Sequence, residues 1–420
     1  VDRDGPVRPG TGGEAMKAHY EDQGVTLYHG DCIEVMRGLT DNSVHAVVTD
    51  PPYGLEFMGK DWDSFKPTSS HAEARTRRAS EVTPKGQGHT TSAGAFLAAG
   101  VNGYTAGIPF QMWCQEWATE ALRVLKPGGY MIAFGGSRTW HRLAVAVEDA
   151  GFEIRDSIAW LYGSGFPKGV NLTGEFEGWG TGLKPAFEPI VVGRKPLGQT
   201  VAANMAEHGT GAIHIAASRV GDGSESKPRE GEASANRRYT EEGAVNLAAL
   251  PGVRNGSPDG RWPANVLLEQ SQADALDVQT GVLTSGLFKG KRNADKFRNA
   301  YGEFKGSDEP VETYGDSGGA SRFFPTFHYE AKAPGAERPD VDGVQHPTVK
   351  PLDLMRWLVR LVASPGAIIL EPFAGSGTTL EACLLEGFEV IGIEREETYL
   401  PLIMQRIKKP LQQSLFGDIA

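Results

Sequence analysis

Residues 366–394, GAIILEPFAGSGTTLEACLLEGFEVIGIE, constrain the fold more tightly than any other stretch of the chain. An apolar, β-branched run (GAIILEPF) leads into glycines, a helical segment (GTTLEACLLEGF) follows, and a second apolar run (EVIGIE) closes the unit. Two strands joined through a helix run parallel, because a tight hairpin joins only antiparallel ones. PLDLMRWLVRLVAS reads as a helix before this unit and TYLPLIMQRIKK as one after it. The alternation recurs near the other end of the chain. There GVTLYHG reads as a strand, DCIEVMRGL as a helix, and SVHAVVTD as a strand ending at Asp50. QMWCQEWATEALRVL is an amphipathic helix stopped by KPGG, and YMIAF a strand. TWHRLAVAVEDAG is a further helix, and FEIRDSIAWLYG and FEPIVVG are strand-like. This pattern predicts an α/β fold around a mostly parallel sheet.

Between its ordered ends the chain loses periodicity twice. From about 54 to 110 it fills with Ser, Thr, Gly, Ala and charge, the composition of a lid-like or disordered loop. From about 200 to 340 it is Gly-rich and polar, with islands such as RWPANVLL and SRFFPTFHYEAKA. With 420 residues, 40% of them hydrophobic, the chain can bury a large core, as one domain with insertions or as two. Cys32, Cys114 and Cys383 are too far apart for a disulfide framework or a metal-ligand spacing, which points to a reducing cytoplasm. The opening VDRDGPVRPGTGGEA has no apolar core of a secretory signal and reads as a disordered leader, with Met16 an alternative start. No stretch reaches the apolar length of a membrane span. A net charge of −11 weighs against a nucleic-acid partner, yet basic clusters at 75–78, 236–238 and 289–298 could line a cleft on an acidic protein.

The glycine loop EPFAGSGTT, Glu371 to Thr379, follows a strand and opens a helix, where free N–H groups and Gly375 and Gly377 admit a ligand close to the backbone. A phosphate-binding P-loop needs a Gly-Lys-Ser/Thr ending, and no lysine is present. A dinucleotide fingerprint needs a third glycine, where Leu380 stands. A nucleoside without a diphosphate remains. Seventeen residues past Gly377, Glu394 ends the next strand, where its carboxylate can accept hydrogen bonds from ribose hydroxyls.

The second motif is TDPPYG, Thr49 to Gly54. Pro51 and Pro52 fix φ and remove two donors, so the chain leaves the sheet rigid and extended with outward carbonyls. Asp50 and the Pro51 carbonyl can both accept hydrogen bonds from one NH₂ group, and Tyr53 offers a flat face to a planar ring.

Together DPPY and EPFAGSGTT resemble the amino-group DNA methyltransferases that use S-adenosyl-L-methionine. HPTVKP at 346–351, GD at 30–31, LKPGG at 125–129 and the C-terminal GIE match too, and the catalytic-first order is similar to the β group of that family. WLYGSGFPKGVN and TGLKPAFEPIVVGRKP look like forms found in phage and prophage members. The resemblance implies a circularly permuted, Rossmann-like methyltransferase fold with a mostly parallel seven-stranded sheet and long irregular insertions. It divides the chain into a disordered leader (1–19), a catalytic half (20–199) with the lid-like loop 54–110, a target-recognition region (200–340), a cofactor-binding half (341–410) and a tail (411–420).

The resemblance also assigns roles. Asp50, Pro51, Pro52 and Tyr53 become the catalytic set. Phe373, Ala374, Gly375, Ser376, Gly377 and Thr378 form the cofactor loop, Glu394 takes the ribose and Asp31 the adenine amino group of the cofactor. His346, Thr348 and Lys350 flank its methionine end, and no metal is expected. Glu371 stands where the family usually has Asp, which argues against its touching the cofactor. The implied substrate is a flipped-out base in double-stranded DNA, with adenine N6 favoured over cytosine N4 by the Asp of the first motif. Methylation at cytosine C5 would need a Pro-Cys nucleophile, and no cysteine follows a proline. The resemblance implies a cytoplasmic enzyme of a bacterial or phage-infected cell, and it leaves open a homodimer and a restriction endonuclease partner or none. A non-catalytic phage DNA-binding protein with a decayed core is the alternative of another class, and the intact motifs oppose it.

Overall fold

The computed structural model describes residues 17–55, 63, 103–163, 165, 169–221, 260–284, 317–327 and 338–409. Residues 1–16 of the leader, nearly all of 56–102, the three basic clusters and the tail lie outside the described residues. The chain forms two units: one of Val1–His214, Asn265–Glu269 and Phe327–Ala420, the other of Ile215–Ala264 and Gln270–Thr326.

The first unit is built on a ten-stranded sheet. Its strands are β1 (Tyr20–Asp22), β2 (Val25–His29), β3 (Val44–Thr49), β4 (Leu125–Phe134), β5 (Glu153–Leu161), β6 (Phe187–Arg194), β7 (Val266–Glu269), β8 (Thr326–Phe327), β9 (Ile368–Glu371) and β10 (Glu389–Glu394). They lie in the order β1-β2-β10-β9-β3-β4-β6-β5-β7-β8. The run β2-β10-β9-β3-β4 is parallel, whereas β6 is antiparallel to both its neighbours. The expectation of seven strands is therefore too small. A two-residue turn at Gln23 and Gly24, both at positive φ, adds β1 by a hairpin, and β7 extends the other side. β7 comes from inside the 200–340 stretch: Leu267 and Leu268 are apolar enough to be buried against β5, which draws Asn265–Glu269 out of the irregular region and into this sheet.

Side chains alternate across the sheet, and each face has its own core. One face carries Val25, Ala46, Val48, Ile132 and Ile369, packed under α6 (Leu352–Val362), α7 (Thr378–Leu385) and α8 (Leu400–Ile407). The other carries Val47, Met131, Leu370 and Ile391, packed under α1 (Cys32–Gly38), α2 (Gly103–Val124) and α3 (Trp140–Asp149). Helix α2 begins eight residues ahead of the Gln111 start that periodicity suggests and takes Pro109 into its first turns. A short α4 (Val201–His208) is capped by Thr200 and ended by Gly209 at φ 71. Cys32, Cys114 and Cys383 are free and buried, and no helix among the described residues is long and apolar enough to cross a membrane.

The second unit contributes α5 (Gln270–Thr280), whose Asp277 accepts hydrogen bonds from the backbone N–H (2.8 Å) and hydroxyl (2.7 Å) of Ser321. Arg322 stacks over Phe323 at 4.3 Å.

Strand order locates the candidate site. From β9 the chain winds one way to β10, whose outer neighbour is β2, while on the other side of β9 lie β3 and β4. The carboxyl ends of β9 and β3 thus flank a topological switch point, where open α/β sheets leave a crevice. Being antiparallel, β6 brings its beginning, Phe187 and Glu188, to the same edge.

Candidate active site

Glu371 joins the two motifs. Its Oε1 accepts hydrogen bonds from Thr49 Oγ1 (2.5 Å) and the Phe373 N–H (3.0 Å), and its Oε2 from Thr379 Oγ1 (2.6 Å). The side chain is enclosed, and burial pushes its pKa up to about 8 despite these donors. Glu371 therefore ties the exit of β3 to the exit of β9, with all its close partners inside the protein.

Beyond Thr49 the chain turns outward and Asp50 meets two side chains. Its Oδ1 accepts from the Tyr53 hydroxyl (2.8 Å) and its Oδ2 from Lys350 Nζ (2.5 Å). Tyr53 also reaches Glu188 Oε2 (3.0 Å), and Lys350 Nζ lies 3.2 Å from the Tyr53 hydroxyl and 3.4 Å from Glu188 Oε2. Phe134, at the end of β4, presents its ring 4.8 Å from the ammonium. Burial works against the Lys350 charge, but Asp50 and Glu188 outweigh it and hold its pKa above the ordinary value. Burial raises that of Glu188, against the pull of Lys350, and burial beside two carboxylates raises that of Tyr53.

The backbone after the prolines is held firmly. Thr139 Oγ1 donates to the Tyr53 carbonyl (2.7 Å), and Asp63 accepts from the N–H groups of Gly54 (2.6 Å) and Leu55 (3.1 Å). Gly54 sits at φ 66 with the Phe110 ring 2.7 Å from where a Cβ would stand, so only glycine fits this turn.

The glycine loop lies one strand away. Gly375 (φ 54) donates its N–H to Glu394 Oε2 (2.7 Å), and Glu396 N–H donates to Oε1 (2.7 Å). Burial lifts Glu394 to about 7. His346 stands beside the loop, its Nε2 3.2 Å from the missing Cβ of Gly375 and its ring edge-on to Tyr399 at 4.6 Å. Nδ1 lies 2.7 Å from the Thr348 carbonyl, and burial lowers the imidazole pKa. Beneath the loop, fully buried Arg406 donates Nε–H to the Ser376 carbonyl (3.0 Å) and pairs with Glu381. Asp31 caps α1 through the N–H groups of Ile33 (2.9 Å) and Glu34 (3.3 Å), and the Gly30 N–H to Glu394 carbonyl bond (3.0 Å) keeps it beside β10.

The structure thus brings Gly375, Glu394 and His346 together, with Asp31 on the adjoining strand end. It sends Lys350 to Asp50 and not to the glycine loop. Thr348 holds His346 through its carbonyl. Phe373 turns to the opposite face, its ring 5.5 Å from both Trp113 and Trp117, with Ala374 buried behind it. Ser376 and Thr378 are buried and bonded to each other (3.2 Å). Glu188 and Arg406 were not among the expected residues. Arg406 had a sequence signal, an arginine in the buried register of Leu402, Ile403 and Ile407. For Glu188 the signal was faint: a carboxylate directly before Pro189 at the start of a strand.

The model of the DNA methylase family N6_N4_Mtase matches residues 44–405, a span that holds both motifs. The type II methyltransferase M.HindIII of Haemophilus influenzae is 24% identical over 401 residues, covering 91% of this chain and 94% of that protein. Among solved structures, the M1.HpyAVI–SAM complex has 15% identity and a TM-score of 0.39, covering 91% of this chain and 99% of the other. PvuII DNA methyltransferase, cytosine-N4-specific, has 13% identity and a TM-score of 0.43, covering 91% and 86%. An acid-Pro-Pro-Tyr exit and a glycine loop on neighbouring parallel strands, inside a family match spanning most of the chain, make this protein a member of the amino-group (N6/N4) DNA methylase family.

Proposed function

We propose that this DNA methyltransferase moves a methyl group from S-adenosyl-L-methionine to the exocyclic N6 amine of an adenine flipped out of duplex DNA. The observation that carries this reading is the placement of Asp50 at the exit of β3, beside the glycine loop at the exit of β9. The cofactor supplies an electrophilic methyl group.

The loop suits that molecule. Gly375 leaves open a space that a Cβ would fill, two carboxylates (Asp31 and Glu394) stand at adjoining strand ends to accept from amino and hydroxyl groups, and the loop has no lysine to balance a diphosphate. Gly375 and Glu394 would hold the nucleoside, with Asp31 at its base and His346 along the loop.

Asp50 and the Pro51 carbonyl accept the two amine hydrogens, which favours a pyramidal nitrogen and frees its lone pair. Catalysis is then positioning and electrostatic stabilisation, with no covalent enzyme intermediate. Extruding the base costs a few kcal/mol, and stacking on the Tyr53 ring returns about 1–3 kcal/mol of it.

The test is digestion of reacted duplex DNA to nucleosides and their identification by mass spectrometry. N6-methyladenine is expected, and N4-methylcytosine in its place would overturn the base assignment. Asp50→Ala should lose methyl transfer while keeping cofactor affinity by calorimetry; substantial turnover in that variant would refute the role of Asp50.

A further inference from the structure

Both oxygens of Asp50 are occupied by donors of the protein itself. The Tyr53 hydroxyl sits on Oδ1 and the Lys350 ammonium on Oδ2, at 2.8 and 2.5 Å. An amine arriving at this carboxylate meets an acceptor whose charge is already spent on a cation. Lys350 cannot simply withdraw into water, because its side chain is only 10% exposed and a buried ammonium without a partner is strongly disfavoured. It needs a second carboxylate within reach.

Glu188 is that carboxylate. Its Oε2 lies 3.4 Å from Lys350 Nζ and 3.0 Å from the Tyr53 hydroxyl, so both donors on Asp50 already face it. The tyrosine has one hydrogen to give and stands between the two acids, able to donate to either. The strand fixes the position: Glu188 pairs with Trp160 across β5 and β6, and the next residue is Pro189, whose φ is set by its ring. Phe134 backs the ammonium on its other side.

We propose that Glu188 is a positioning residue for methyl transfer: it takes over the Lys350 ammonium and the Tyr53 hydroxyl when the target amine occupies Asp50. Asp50 then meets the amine as a free carboxylate, and no unpaired cation is left behind. The cluster keeps the same charges throughout, two carboxylates and one ammonium, and only the hydrogen bonds move. This rests on the reading of Asp50 as the acceptor of the amine.

The experiment is single-turnover methylation of duplex DNA with radiolabelled S-adenosyl-L-methionine, alongside cofactor affinity by calorimetry. Glu188→Ala should slow the methylation step on the order of 100-fold, the penalty of a misplaced reacting group, with cofactor affinity within about threefold of the parent. Glu188→Gln, which keeps an acceptor oxygen without the charge, should recover part of that loss. The decisive variant is Glu188→Ala combined with Lys350→Met, which should be faster than Glu188→Ala alone, because the cation otherwise pinned on Asp50 is gone. A purely structural Glu188 predicts the reverse, a double variant slower than either single one. Parent-like rates in Glu188→Ala, or a double variant no faster than it, would overturn the proposal. An active parent with a dead Asp50→Ala variant would leave the proposed function standing in that event, whereas turnover by Asp50→Ala would remove the footing of both.

Discussion

Glu371→Gln isolates the enclosed carboxyl group that joins the two motifs. The substitution keeps the shape: the amide oxygen can still accept from Thr49 and the Phe373 N–H, and its NH₂ can donate to Thr379 Oγ1. What changes is titration. Burial moves Glu371 from an ordinary 4.5 up to about 8, so the folded chain keeps a proton there that the unfolded chain releases. The stability this contributes is fully present below pH 4.5 and is lost as pH rises towards 8. Glutamine has no such term, so the variant should gain on the parent by up to about 1.4 kcal/mol per pH unit across this window. Between pH 5.5 and 7.5 the difference amounts to roughly 2–3 kcal/mol. Urea unfolding followed by tryptophan fluorescence is a suitable assay, because Trp113 and Trp117 pack against Phe373, two residues along from Glu371. Parent and variant with midpoints that shift in parallel between the two pH values would refute the reasoning.

Glu394 gives a related effect on binding. Lifted to about 7, it would be the better acceptor for ribose hydroxyls, in the role proposed for it, only above that pH, so cofactor affinity should fall as pH drops from 8 to 6. Glu394→Gln should flatten that dependence, and calorimetry at three pH values checks it. Gly375→Ala should weaken cofactor binding at least tenfold and destabilise the fold by about 1–2 kcal/mol, since the new Cβ meets His346 at 3.2 Å on a backbone with φ 54. Thermal unfolding and calorimetry on the same preparation separate the two losses.

Strand–helix alternation in the first and last thirds of the chain was enough to foresee the parallel sheet, and the motif residues pointed to the edge where the candidate site lies. What escaped was decided by distant partners. Lys350 belongs to a motif attributed to the cofactor, yet its bond is to Asp50, 300 residues earlier. Glu188 reads locally as one polar residue at a strand start; only the antiparallel placement of β6 turns it toward the carboxyl ends of β3 and β4. β7 was hidden by its surroundings, since four residues are too few to show a period inside a glycine-rich stretch. Arg406 was visible in principle, because a charge in the apolar register of a helix needs a buried partner, and Glu381 supplies it.

The nearness of the two motifs is a matter of strand register. Strands β3 and β9 are hydrogen-bonded neighbours, with Ala46 opposite Ile369 and Val47 opposite Leu370. Continuing that pairing sets Val48 opposite Glu371 and Thr49 one residue further along, from where the Thr49 hydroxyl bonds to Glu371 across the seam. A slip of one residue would turn every β3 side chain to the other face, exposing Val47 and Val48 to the wrong cores. The two apolar cores forbid the slip, so the same packing that stabilises the sheet also holds Asp50 one strand away from Gly375. The chain distance between them, more than 300 residues, is irrelevant once β3 and β9 pair, because neighbouring strands lie only about 4.8 Å apart.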